Sequence, residues 1–517
     1  MPRLNLRRTL LAVLLALTAT LPSGGGGAAA GRPLRYLGGD PGTFDPAYIS
    51  DAGDVQLVLQ LYAGLTRLDD AGTPYPSLAA SWTVGDAGRT YTFRLRSGLT
   101  FSDGSPLDAR DVRRSWLRLL DPATRSTAPD VLSVIQNATE RLAGRATESQ
   151  VGIDAPEATT LVVHLAHPAA YFTSITATPA TFVVPRNAQP TPTWQRAGSF
   201  VGSGPYIVAS QAQTDLVLRG NPRYVGGPPT IDEVQWTGHL QGDATSAFSA
   251  NRLDLTEVAP WDATWIRYDR NLGPHLHPAA ALSVAFFGFD TTRPPFDDVR
   301  VRRAFALALD RRRLVELSAG AAAEAANSLV PPALQPAGMP GIPTAGVAEA
   351  RRLLDEAGYG DRSKLGLLRV NANGLNVGPA VAVWRRDLGV SISVETMRFA
   401  DFLGQIATDA PPIFTINWIA DYPSPYALYS LLLLPGAASN YGRWNDPGFV
   451  SLLQEASSAA PTAESAAYRA VEERVQDQAP VIPWSYTESS WLVRQGLRGA
   501  GKLTVGLMDF GSLSWAG

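Results

Sequence analysis

Hydrophobic positions along the chain repeat at two alternating periods. Tyr91-Thr92-Phe93-Arg94-Leu95-Arg96 alternates apolar and polar side chains, which predicts a strand with one buried face. Pro33–Gly38, Leu161–Leu165, Thr181–Pro185 and the apolar run Leu282–Phe289 predict further strands. Elsewhere the period lengthens. Val55, Leu57, Val58, Leu61, Tyr62 and Leu65 fall at helical spacing. Val112, Trp116, Leu119 and Leu120 do so behind Asp108 and Asp111, an acidic variant of the capping box, and Pro122 stops that helix. Val301, Ala304, Phe305, Ala308 and Leu309 follow the helix-starting carboxylates Asp297 and Asp298, while Val347, Ala350, Leu354 and Ala357 run to a terminating Gly358. Strands over Leu367–Asn371 and Val390–Val394 flank a helix around Ala380–Leu388, which predicts an α/β lobe. Helices over Phe449–Ser457 and Ala463–Gln478 precede a last strand, Val481–Tyr486.

One stretch carries chemistry at the end of such a pattern. Ile416–Pro425 is an apolar strand that ends in Asp421, aromatics and two prolines. Pro423 and Pro425 lack an amide proton and push the preceding residue out of helical geometry, so the acid sits where a strand meets a rigid loop. Taken alone, an aspartate in that position caps a turn. Gly202-Ser203-Gly204-Pro205-Tyr206 is a tight turn and not a phosphate cradle, because neither a Lys-Ser/Thr pair nor a helix follows.

A length of 517 residues allows two or three domains with full cores. Residues 1–30 combine Arg3, Arg7 and Arg8, an apolar run from Leu10 to Leu21, and small residues from Gly24 to Ala30. That is the layout of a secretory signal peptide cleaved before Gly31. The net charge of −3 then becomes about −6 for the mature chain, against a nucleic-acid partner. With 0 cysteines, disulfides, thiolate metal sites and a lipid-modified N-terminal cysteine are all excluded. The expected product is exported and is not a lipoprotein.

Many short segments, in order over nearly the whole mature chain, resemble the extracytoplasmic solute-binding proteins of ABC transporters that carry oligopeptides, dipeptides or nickel. They include Phe44-Asp45-Pro46, Tyr62-Ala63-Gly64-Leu65, Pro76–Trp82, Tyr91–Pro106, Gly204-Pro205-Tyr206, Pro294–Arg302 and Leu353–Tyr359. The resemblance implies a two-lobed α/β periplasmic-binding-protein-like fold (type II, cluster C), with chain crossings near Leu282–Asp290 and Val481–Tyr486. Lobe I would comprise residues 31–66, 181–282 and 484–517, an extra subdomain residues 67–180, and lobe II residues 283–483. It implies a peptide closed between the lobes and delivered to membrane permease subunits by a monomeric, non-catalytic receptor without a cofactor.

The resemblance also places the site. Asp421 matches the acid that binds the peptide's amine, Trp418 an aromatic pocket wall, and Asn417 a backbone contact. Ser50, Ala52 and Gly53 match a segment whose backbone meets the ligand, although Ser50 replaces a frequent acid. Asn376 and Thr415 stand where some relatives carry a histidine and a basic residue for the carboxylate end; Arg369, Arg385, Arg386 and Arg398 are candidates to replace them. Tyr422 and Tyr486 join the expected contacts. Two other readings compete. A receptor for an oligosaccharide or metal chelate would share the fold, with His275 and His277 as a possible metal pair. An exported hydrolase finds no nucleophile elbow, His-Glu-x-x-His helix or phosphate loop in the chain.

Overall fold

Two long strands, Leu276–Phe289 and Val481–Val493, run antiparallel through the middle of an 11-stranded sheet among the described residues. The computed structural model describes residues 31–517 apart from 70–71, 196, 319–322, 342–345, 373, 398, 438, 460, 501–502, 505–506 and 517. The expected signal segment, residues 1–30, lies outside the described residues.

The long strands have different neighbours at their two ends. Ser283–Phe289 pairs with Ile413–Ile419, which continues to Leu367–Asn371 and Ser391–Glu395. At the other end, Ser490–Val493 pairs with Leu255–Val258, which continues to Leu34–Leu37, Glu233–Thr237, Asp215–Gly220 and Tyr206–Ala212. Between the ends the ladder slips, with Ala280 opposite Glu488 but Val284 opposite Tyr486. Such a bulge bends a ladder and increases its twist. The first long strand starts at Leu276, earlier than the expected Leu282, because Pro278 and the alanines after it are poor strand formers read alone.

Both faces of each end are covered. Val284 and Phe286 join Phe414 and Ile416 against Tyr429, Phe449 and Tyr468 of helices Pro425–Leu433, Pro447–Ser458 and Pro461–Gln478. Ala285, Phe287 and Phe289 face the opposite way onto Phe305 and Trp384, with Phe287 edge-on to Trp384 at 5.0 Å. At the other end, Tyr36, Trp491 and Val493 pack on Leu57, Val58 and Leu61 of helix Ala52–Leu61, and Leu492 packs on Phe248, Ala263 and Ile266.

A separate four-stranded antiparallel sheet (Ala79–Gly85, Thr90–Leu95, Thr160–His164, Ile153–Glu157) and helix Ala109–Leu119 form the region after residue 67. Asp108 and Asp111 cap that helix as the sequence predicts, with the Asp111 carboxylate accepting from Asp108 N at 2.9 Å. Tyr171 of this region stacks on Tyr422 and Tyr426 at 5.6 and 4.4 Å, so its core continues into that of the C-terminal helices. Thr181–Pro185 is no strand. A short turn over Pro179–Thr181 leads into extended chain whose Phe182, Val183 and Val184 fill the cores individually.

Candidate functional site

The strand Ile413–Ile419 has one satisfied edge and one open edge. Its inner edge pairs along its full length with Ser283–Phe289, whereas the outer edge meets Leu367–Asn371 only at Ile413 and Phe414. From Thr415 onward, no strand lies along that edge among the described residues. Asn417 and Ile419 are exposed there, and Trp418 is half-buried against the core. The Trp418 indole Nε1–H is buried without an acceptor among the described residues. Thr415 is wholly buried, its Oγ1 donating to Phe286 O at 2.9 Å.

The strand ends where Ala420 N donates to Leu282 O, and Ser424 then caps the next helix by accepting from Tyr426 N. Ser424, with Pro425 in the first helical position, therefore takes the capping role that an isolated reading would give Asp421. The Asp421 carboxylate makes no hydrogen bond or ion pair among the described residues. Water reaches it, yet the protein packed around it pushes its pKa up to about 6 by desolvation. A carboxylate that water reaches but that protein crowds has less bulk water to stabilise its charge.

Opposite chemistry holds the segment Gly42–Gly53. Asp54, buried in the first turn of helix Ala52–Leu61, accepts from Gly42 N at 2.9 Å and from Thr43 N, Ser50 N and Ser50 Oγ at 3.2 Å. Asp51 caps the helix through Asp54 N at 2.9 Å. Gly53 lies against the carbonyl of Gly38, where an added Cβ would stand 2.9 Å from the oxygen. Ser50 and Ala52 are left exposed where this loop enters the helix, its shape set from behind.

Two expected contacts turn inward. Tyr422 is buried and stacked on Tyr171. Tyr486 is buried too, its hydroxyl accepting from Ser328 N and Gln335 Nε2 and lying 2.8 Å from Asn327 Oδ1. Both side chains therefore lie in the core of this structure. Asn376 is exposed in the turn before helix Gly378–Val383.

Residues 73–440 match the middle region of the bacterial extracellular solute-binding proteins, family 5. The chain belongs to this family. Among its relatives, the periplasmic murein peptide-binding protein MppA of Escherichia coli is 29% identical over 94% of this chain and 93% of that one. The solved structure of MppA superposes with a TM-score of 0.81, covering 94% of this chain and 98% of its own. The probable deoxycholate-binding periplasmic protein YgiS of the same organism is 30% identical over 86% of each chain. The architecture is therefore the two-lobed α/β fold of these binding proteins, and the ladder slip at Ala280–Val284 lies in the strands shared by both ends of its sheet.

Among the described residues, the other candidate cations of this solute-binding protein already have partners. Arg369 faces Glu395 at 3.8 Å, Arg386 pairs with Asp387 at 2.6 Å, and Arg385 bonds to Ile392 O; Arg398 lies outside the described residues. His275 sits in a turn before the strand that carries His277, with Nδ1 3.1 Å from Val493 O, so the two do not share a strand face. No group of three or more metal-ligating side chains occurs among the described residues. A cavity of about 350 Å³ opens elsewhere, between Trp82, Val84, Tyr91 and Ser457–Ala459. It is lined without a charged side chain, so it offers nothing to fix a charged solute, whereas Asp421 does.

One acid that the sequence did not single out shares the features of Asp421. Glu257, on strand Leu255–Val258, is water-accessible, has its pKa raised by burial, and takes a hydrogen bond from Ser489 Oγ at 3.0 Å. In Leu-Thr-Glu-Val it reads as an ordinary outward-facing strand residue.

Proposed function

We propose that the protein is a non-catalytic periplasmic receptor that captures a peptide between its lobes and hands it to an ABC permease as a monomer. The lobes comprise residues 31–66 with 181–282 and 484–517, and residues 283–483, with residues 67–180 elaborating the first. The observation that carries this reading is the unpaired Asp421 carboxylate at the end of a strand whose outer edge is open. An extended peptide adds to such an edge through its backbone, which gives affinity without dictating side chains. Its terminal ammonium leaves water only beside an opposite charge, and Asp421 supplies one. Asn417, Trp418, Ser50, Ala52 and Gly53 are the neighbouring contacts, and the name of MppA supports a peptide.

The name of YgiS favours a second reading, an amphipathic anion of the bile-acid kind. The two differ in sign at Asp421, since an anion gains nothing from an unpaired carboxylate. Protein unfolded to release carried solute and then refolded is titrated calorimetrically with short free-amine peptides, deoxycholate and maltooligosaccharides. Peptide binding is the expected result; binding of deoxycholate or sugar without peptide overturns the proposal.

The pH dependence follows from the same carboxylate. Its pKa in the free protein is about 6, and pairing with an ammonium lowers it in the complex. Below pH 6 a proton must leave before the ligand binds, so affinity is steady above about pH 7 and falls by up to about tenfold per unit below 6. Titrations at pH 5, 6 and 7.5 with one peptide check this.

A further inference from the structure

Glu257 lies at the end of the sheet that the expected ligand segment Ser50–Gly53 approaches. Strands Leu34–Leu37 and Leu255–Val258 are parallel with Tyr36 opposite Leu255, so Glu257 lies two residues past that pairing, toward the same end of the sheet as the chain leaving Leu37 for Gly38. Gly38 O lies close to Gly53, so the Ser50–Gly53 segment meets that same end of the sheet. On its other side Glu257 is opposite Trp491, and directly opposed residues of an antiparallel pair share a face. Trp491 packs, with Tyr36, on the face that carries helix Ala52–Leu61.

The ordinary reading of such a glutamate is a solvated outer face. Three observations weigh against it. Its carboxyl is held above the usual carboxylate range by surrounding protein, which an open surface does not do. It adds to the rise of the buried Tyr36 phenol, so its charge is felt inside. It has no cationic partner among the described residues, its one side-chain bond being the neutral Ser489 hydroxyl.

We propose that Glu257 is a second anionic anchor, on the opposite lobe from Asp421, that selects peptides carrying a basic side chain in addition to the amino terminus. This rests on the peptide reading of the Asp421 site. Three strand spacings and a few residues of rise separate the two acids, on the order of 20 Å between backbones. After the reach of the side chains, that span holds roughly two to five residues of extended peptide. The ligand class is therefore a short peptide with a free amine and a lysine or arginine a few residues on.

The test uses hexa-alanine peptides with lysine at each of positions 2 to 6 and their norleucine counterparts, which keep the aliphatic stem and lose the charge. For wild-type protein, one or two positions should bind at least tenfold tighter as lysine than as norleucine. In Glu257→Gln that ratio should collapse to about one, and in Glu257→Asp part of it should remain. A purely structural glutamate would change both affinities and leave their ratio intact. An unchanged ratio in Glu257→Gln, or no lysine preference at any position in wild type, overturns this inference while peptide binding stands. Absence of binding by every peptide overturns the peptide reading as well.

Discussion

Asp421→Asn is expected to weaken binding of a free-amine peptide by about 2–5 kcal/mol, roughly 30-fold to several thousand-fold, measured by calorimetry at pH 7.5. The substitution keeps the shape of the side chain and removes its charge, leaving the bound ammonium desolvated without a counter-charge. The same variant should melt no lower than wild type at that pH. The folded-state pKa of Asp421 lies above its unfolded value, so any stability it contributes is present at low pH and is lost as pH rises through about 6. At pH 7.5 the unpaired charge is thus a cost of the free protein, and removing it relieves that cost. Loss of binding with retained or raised melting temperature separates a ligand anchor from a structural carboxylate, whose loss would lower both.

Asp54→Ala should destabilise the protein by about 2–4 kcal/mol, seen as a lowered midpoint of thermal or urea unfolding. One buried carboxylate gathers Gly42 N, Thr43 N, Ser50 N and Ser50 Oγ. Its removal strands three backbone donors, Thr43 N buried and Gly42 N and Ser50 N partly so, and a donor left unmade away from water costs free energy. The Ser50–Gly53 loop is shaped by those bonds, so peptide affinity should fall together with stability. Asp54→Asn, which keeps an acceptor oxygen, should do less damage to both.

The parts of this molecule that were legible in the sequence are those where local pattern and final environment agree. The apolar run before Asp421 became a strand, Pro423 and Pro425 ended it, and the acid emerged at its tip. Helices with clear caps, such as the one behind Asp108, were equally direct. Legibility failed where the decisive contact lay far along the chain. Leu276–Ala280 is strand because Glu488–Leu492 runs beside it, which outweighs a proline and the alanines locally opposed to it.

The directions of Tyr422 and Tyr486 depended on Tyr171 and on the loop around Ser328, both distant in the sequence. An aromatic at a strand end reads the same whether it faces a ligand or a core. Glu257 was hidden for a related reason: its place at the same end of the sheet as Gly38 follows from strand order, to which its own neighbours give no clue.

The decisive measurement is a pair of calorimetric titrations of refolded wild-type protein with one short peptide, first with its amine free and then N-acetylated. Acetylation should weaken binding about as much as Asp421→Asn does, and the acetylated peptide should no longer distinguish the variant from wild type. Equal affinity for the free and acetylated peptides would contradict this, because Asp421 would then not be holding the ligand's amine.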